Sequence, residues 1–249
     1  MQAWTLVDCG RIPGDGGELQ LHRLGEEWAI SIEGHELMSS RASASEEALA
    51  ELGCEPIADR IPARVLIGGL GMGFTLAAAL RQLTADATVV VAELAPAVVT
   101  WNRELFGELA GRPLDDPRVS VHHGDVAECI RGETAGWDAI LLDVDNGPEG
   151  MTVAANDRLY SRRGLEYVRQ ALRPAGVLAV WSAADDADFT RRLQRGGFRS
   201  RLHRVRARGT KGARHVIWTA IPDSAIVDPT SPTHGVVPRR RRRKNRSRR

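Results

Sequence analysis

From about residue 63 to 222 the chain alternates between two hydrophobic patterns. Short, nearly continuous apolar runs occur at Arg64–Ile67, Thr88–Glu93, Arg118–His122, Trp137–Asp143 and Val177–Trp181. Such runs predict strands buried on both faces. Between them lie segments whose apolar positions recur at helical spacing: Phe74–Leu83, Pro96–Leu109, Val126–Arg131, Leu159–Leu172 and Asp188–Arg195. Strand–helix alternation predicts a mostly parallel sheet with helices on both faces. The rhythm then changes. Phe198–Val205 and His215–Ile221 are strand-like runs joined across the Gly-containing stretch Arg208–Gly212, which predicts an antiparallel pair closing the sheet.

Upstream, apolar and polar residues alternate over Glu18–Leu24 and Glu27–Ile32, with Gly25 between them and Gly14, Gly16, Gly17 and Gly34 around them. This predicts one or two small hairpins, followed by a short helix at Ser45–Leu52 with Ser45 as its N-cap. Downstream, Pro222, Pro229, Pro232 and Pro238 precede a basic run. The expected organisation is a small β-rich unit at 1–58, an α/β unit at 59–222 and a disordered basic tail at 223–249.

Charge sharpens this division. The net charge of +2 conceals an asymmetry, because nine of the 34 Lys and Arg lie in Arg239–Arg249. The rest of the chain has 25 cations against 32 acids, a net of about −7. An acidic body suits a cationic substrate and disfavours a large nucleic-acid face on the body itself. The tail could bind nucleic acid or another polyanion, although no aromatic residue interleaves its charges. No apolar run is long enough to span a bilayer, and the opening MQAWTLVDCGR lacks a secretory pattern, so no membrane association is expected. Cys9, Cys54 and Cys129 are scattered without metal-ligand spacing, which predicts no bound metal and fits a reducing cytoplasm.

Candidate chemistry gathers at the strand ends. Val65-Leu66-Ile67 runs into Gly68-Gly69-Leu70-Gly71-Met72-Gly73 and then a helix. Gly69, Gly71 and Gly73 permit a sharp turn and close approach of a ligand to the backbone. The dinucleotide fingerprint would need glycine where Phe74 stands, and the Walker pattern is absent. Glu93 closes the second strand of the α/β unit, where a carboxylate can accept from both hydroxyls of a ribose. Asp125 follows the third strand; it can accept from an adenine amino group while the Val126 N–H meets a ring nitrogen, and it can equally cap the next helix. Asp143 ends the fourth strand, with Asp145 and Glu149 in the Gly-Pro loop behind it. These acids can hold a cationic amine, and Asp143 with Asp145 can orient or deprotonate the attacking nitrogen. Asp, Asn, Gly and Pro are also ordinary turn residues.

The order VLIGGLGMGFTL, VVVAELAPAVV, HHGDVAE, WDAILLDVDNGP and LYSRRGLEYVRQALRPAGVLAVW resembles the spermidine synthase (polyamine aminopropyltransferase) family and its S-adenosylmethionine-dependent methyltransferase-like relatives, over roughly residues 15–220. The resemblance implies a Rossmann-like class I S-adenosylmethionine methyltransferase fold with a small N-terminal β-domain, and often a homodimer. Gly69, Gly71 and Gly73 would line the donor loop, Glu93 would hold the ribose, Asp125 and Val126 the adenine, and Asp143 would sit at the reacting centre. The donor would be decarboxylated S-adenosylmethionine or S-adenosylmethionine.

Departures lie mostly on the amine side. The family's donor loop carries an acid, whereas Met72 stands in this one. Ser45-Glu46-Glu47 occupies the place of a Tyr-His-Glu run, and the reaction loop reads Asp143-Val144-Asp145-Asn146-Gly147-Pro148 rather than Asp-x-x-Asp-Pro. Aminopropyl transfer to a polyamine is the favoured expectation. Methyl transfer to a small molecule or RNA is the alternative, and a non-catalytic nucleotide-binding protein is a third reading.

Overall fold

The computed structural model describes residues 3–14, 17–144 and 158–223. The chain opens with a four-stranded antiparallel sheet, β1 (Thr5–Arg11), β2 (Glu18–Leu24), β3 (Glu27–Ile32) and β4 (His35–Ser39), in that spatial order. Two of these strands, β1 and β4, lie outside the predicted hairpin runs. A helix, α1 (Ala44–Cys54), leads into the α/β unit. Then follow β5 (Arg64–Gly68), α2 (Phe74–Gln82), β6 (Thr88–Glu93), α3 (Pro96–Glu104), β7 (Val119–His123), α4 (Val126–Arg131) and β8 (Trp137–Leu142). After residues 145–157, which lie outside the described residues, come α5 (Arg162–Ala171), β9 (Leu172–Ser182), α6 (Ala187–Arg195), β10 (Phe198–Arg208) and β11 (Lys211–Pro222).

The large sheet has the order β10-β11-β9-β8-β5-β6-β7. Strands β7, β6, β5, β8 and β9 pair in parallel, while β11 is antiparallel to both β9 and β10. This is the predicted mostly parallel sheet closed by an antiparallel pair. Alternate residues of each central strand feed opposite cores. Val65, Ile67, Ala139, Leu141, Val177 and Ala179 pack with α1, α2 and α3, whereas Leu66, Ile140, Leu142, Leu178 and Val180 pack with α4, α5 and α6. The strand period of two thus explains why the strands read as unbroken apolar runs. The N-terminal sheet joins the first core through Leu19, Leu21, Ile30 and Trp28, whose ring lies 5.7 Å from that of Phe106.

Caps fix several helix starts. Ser161 Oγ accepts from Gly164 N at 3.1 Å, and Asp186 Oδ1 from Phe189 N at 2.9 Å. The expected cap of α1 is corrected. Ser43 holds the N-cap position without a side-chain bond, and Ser45 lies buried inside the helix, where its Oγ meets His215 Nδ1 at 2.9 Å. A serine hydroxyl offered a tertiary partner no longer has reason to bond its own backbone.

Opposite the glycine loop, Asp138 ties the lower ends of the strands together. It is 1% exposed and accepts from Arg60 Nη1 at 2.5 Å, Arg173 Nη1 at 2.7 Å and Arg64 N at 2.8 Å. Among the described residues no helix is long and apolar enough to cross a membrane.

Candidate active site

The candidate residues lie at the carboxyl edge of β5, β6, β7 and β8, where open α/β sheets bind ligands. Gly69, Gly71 and Gly73 all take left-handed backbone angles, with φ of 87°, 53° and 84°. At Gly69 a Cβ would lie 2.2 Å from the Asp143 carbonyl oxygen, so only glycine lets β5 turn while β8 ends beside it. The loop is held from several sides. Gly69 N donates to Ala92 O at 2.8 Å, and Asn102 Nδ2 donates to Gly71 O at 2.8 Å. Met72 is 2% exposed and belongs to the core, so it is a packing residue of the loop.

Glu93 faces this loop. Its Oε2 accepts from Leu70 N at 2.9 Å and its Oε1 from Ala95 N at 2.8 Å, and the residue is 9% exposed. These two bonds orient the carboxylate against the loop. Asp125 lies one strand further along, because Gly124 N donates to Glu93 O at 3.0 Å. Its Oδ1 accepts from Ala127 N at 2.8 Å, which is the helix-capping alternative recognised in the sequence. Val126 is buried beneath the loop; its Cγ2 would lie 2.9 Å from a Cβ on Gly68. Asp125 also borders a cavity of about 520 Å³ between α4 and α5, with Ile130, Arg158, Ser161 and Tyr167 among the lining residues.

The structure brings Asp143 to the same edge, directly after β8. Its backbone N donates to Gly68 O at 2.9 Å, and Thr75 Oγ1 donates to its Oδ2 at 2.7 Å. Burial pushes the Asp143 carboxyl up to about 6, against the opposing pull of the Thr75 hydroxyl. Asp145 and Glu149 fall outside the described residues, as does the basic tail.

A second carboxylate completes the centre. Glu46, on the first turn of α1, is half-buried, and its Oε2 is sealed from solvent with no hydrogen-bond partner among the described residues. Burial holds this group well above the usual carboxylate range, and the charges of Asp143 and then Glu47 push the same way. The Thr75 hydroxyl also lies 3.3 Å from the Glu46 carbonyl oxygen, joining α1, α2 and the end of β8. Two carboxyl groups that interact in this way do not titrate independently. Beyond them Trp181, at the end of β9, stacks edge-on against His215 with ring centroids 4.7 Å apart. Burial keeps His215 below the usual histidine range, hence neutral at pH 7.

Thr75, Asn102, Trp181 and His215 carry no sequence signal of function, and each is recognisable only from its neighbours in space. Glu46 reads in the sequence as a first-turn acid of a helix, within the stretch that replaces the Tyr-His-Glu run.

Comparison with known proteins meets this geometry. Residues 43–188 match the family model described as the spermine/spermidine synthase domain. A stretch of 120 residues is 41% identical to putrescine N-methyltransferase 3 of Nicotiana tabacum, covering 48% of this chain and 30% of that protein. Another, of 124 residues, is 36% identical to polyamine aminopropyltransferase 1 of Hyperthermus butylicus, covering 48% of this chain and 40% of that protein. The matched chain thus spans well under half the length of these relatives. Among solved structures, spermidine synthase from Thermotoga maritima superposes with a TM-score of 0.69 at 19% identity, over 87% of this chain and 72% of that one. This last likeness bears on the fold.

Proposed function

Since the chain belongs to the spermine/spermidine synthase domain family, we propose that it is a transferase that moves an aminopropyl group from decarboxylated S-adenosylmethionine to a cationic amine of the polyamine class. The adenosine would lie against the Gly69–Gly73 loop, with Glu93 at the ribose and Asp125 and Val126 at the adenine. Three left-handed glycines set the turn of this loop, Gly69 packs too closely on the Asp143 carbonyl to accept a Cβ, and Glu93 is held beside the loop by the Leu70 and Ala95 amides.

The amine's lone pair would form a C–N bond as the C–S bond breaks. The bonding electrons pass to sulfur, the sulfonium becomes a neutral thioether, and the excess proton leaves the nitrogen. The protein's part is alignment and proton acceptance. Asp143, whose carboxyl ionises at about 6, is anionic at neutral pH and suited to receive that proton.

One observation carries the choice of donor. The charges acting on Glu46 are those of the carboxylates Asp143 and Glu47, and among the described residues no cation is a cause of the raised titration of Glu46 or of Asp143. Such a site favours a donor tail that ends in an ammonium alone and opposes one that also carries a carboxylate. Calorimetric titration with each donor tests this. The decarboxylated donor should bind at least about tenfold more tightly, which corresponds to about 1.4 kcal/mol. With putrescine as acceptor, turnover should release the thioether nucleoside methylthioadenosine. Asp143→Asn should abolish turnover while retaining donor binding; undiminished turnover would remove Asp143 from the reaction.

A second reading rests on the identity of 41% to a protein named as a putrescine N-methyltransferase. In that reading the paired carboxylates serve the acceptor's ammonium, and intact S-adenosylmethionine supplies a methyl group. Tighter binding of the intact donor, with S-adenosylhomocysteine as product, would establish it over the first.

A further inference from the structure

The last two strands carry a concentration of charge that the site does not use. Residues 198–222 contain seven Arg and Lys (Arg199, Arg201, Arg204, Arg206, Arg208, Lys211 and Arg214) and no Asp or Glu. All but the half-buried Arg206 are exposed. Among the described residues only Arg204 meets an acid, Asp185 at 2.8 Å. With the tail and this hairpin both set aside, the remaining sequence has 18 Lys and Arg against 32 Asp and Glu. The hairpin is therefore a cationic ribbon on an acidic body.

Its position is specific. Strand β11 leaves β9 at the pair Val216–Ser182, and β10 and β11 continue beyond it, pairing Val205 with His215, Arg206 with Arg214 and Arg208 with Lys211. The two strands thus project roughly 15 Å past the sheet, at about 3.3 Å per residue. They project from the carboxyl edge, the edge that holds Asp143 and the glycine loop. Arg206 and Arg214 face each other directly across the ribbon. Like charges opposite one another are unfavourable in a sheet, and neither arginine has an acidic partner among the described residues to offset this.

We infer that this arm docks the phosphate backbone of nucleic acid at the rim of the active edge. Guanidinium forks match phosphate oxygens. A two-stranded ribbon with flanking Arg and Lys supplies a row of them, and the acidic remainder of the body repels the same polyanion and so confines it to the arm. The tip residues between the cations are Ala207, Gly209, Thr210, Gly212 and Ala213, which lack the bulky apolar side chains that an anionic lipid surface would need for anchoring. The inference is independent of which group the enzyme transfers.

The test uses full-length protein and a fluorescein-labelled uridine oligomer of about 20 nucleotides, with binding followed by anisotropy as salt rises from about 50 to 200 mM. The variant changes Arg206, Arg208, Lys211 and Arg214 to Gln. A companion full-length variant changes the nine Arg and Lys of residues 239–249 to Gln. Thermal melting and donor titration should match those of the native protein, because three of the four altered side chains are exposed and none of the four pairs with an acid among the described residues. The hairpin change should weaken binding at least tenfold at the lowest salt, in both the native and the neutral-tail backgrounds. The slope of log affinity against log salt should become shallower by about 3, at roughly 0.7 for each phosphate of a single strand that the arm no longer neutralises. Native-like affinity and slope in the hairpin variant would overturn the inference. So would loss of all binding on neutralising the tail alone, or binding to vesicles of anionic lipid by a protein that ignores the oligomer.

Discussion

Replacing Thr75 by valine isolates the hydroxyl that tunes the proposed reacting carboxylate. Thr75 is 2% exposed, and its Oγ1 donates to Asp143 Oδ2 at 2.7 Å. Valine keeps the branched shape and removes the donor. A hydrogen bond to a charged group contributes roughly 1.5–3 kcal/mol, and one pH unit corresponds to about 1.4 kcal/mol, so Asp143 should move up by roughly 1–2 units. From its starting point of about 6, that takes it to roughly 7–8. The assay is the pH dependence of kcat/KM with the preferred donor and putrescine. The amine's own protonation is common to both proteins, so the difference between the two acid limbs reports the enzyme. The variant should lose rate at neutral pH and recover most of it in alkali. Superimposed acid limbs would refute the assignment of Asp143 as proton acceptor tuned by Thr75.

Stability supplies an independent check with a definite sign. The folded-state titration of Asp143 lies above its ordinary value of 3.8. The native state therefore holds the proton more tightly than the unfolded chain between roughly pH 4 and 6, and this group's effect is to lower stability as pH rises through that window, by up to about 3 kcal/mol. Thr75→Val should differ little from the native protein near pH 4 and be less stable by roughly 1.5–3 kcal/mol near pH 8.

Four further outcomes follow from the same geometry. Glu46→Gln removes a carboxyl whose proton the folded state retains, so the variant should gain stability relative to the native protein as pH rises above the ordinary glutamate range, seen as diverging melting temperatures between about pH 5 and 9. Gly69→Ala places a Cβ 2.2 Å from the Asp143 carbonyl at φ 87°, and should cost more than about 2 kcal/mol by denaturant titration and abolish donor binding. Glu93→Gln turns an amide toward one of two backbone donors, Leu70 N or Ala95 N, and should weaken donor binding at least about tenfold by calorimetry while lowering stability by roughly 1–3 kcal/mol. Asp138→Ala leaves Arg60 and Arg173 facing an emptied buried position and should cost roughly 3–5 kcal/mol, with donor affinity of the folded fraction unchanged.

Where hydrophobic periodicity carried the reading, the elements were legible. Thr88–Glu93 and Val126–Arg131 coincide with the predicted runs, because both lie against a core that enforces their period. The misses have identifiable causes. Strand β1 is almost wholly exposed, so no alternation marks it, and β4 has only five residues. The expected helix Pro96–Leu109 stops at Glu104, because Gly107 packs so tightly that a Cβ there would lie 2.1 Å from the Asn102 carbonyl. Strand β9 begins at Leu172, directly after α5, and its Arg-Pro-Ala start conceals it. The ends of β10 and β11 are solvated arginine and lysine, and hydrophobic patterning has nothing to read there.

The candidate site divides along the same physical line. A glycine loop is a local device, since its backbone angles are set by three residues and are visible in any window that contains them. The acid at the end of β6 is nearly as local, fixed by one strand and one turn. The electrostatic relation between Glu46 and Asp143 is of another kind. Each carboxyl alone is ordinary, one a first-turn helix acid and the other a strand-end aspartate. Their perturbed titration exists only because α1 crosses the sheet and lays its first turn beside the end of β8, with Thr75 between them. Sequence can therefore indicate where the nucleotide would lie more readily than which charge its tail would meet. That second property decides between an ammonium alone and an ammonium with a carboxylate, so the choice of transferred group depends on tertiary packing that no single motif encodes.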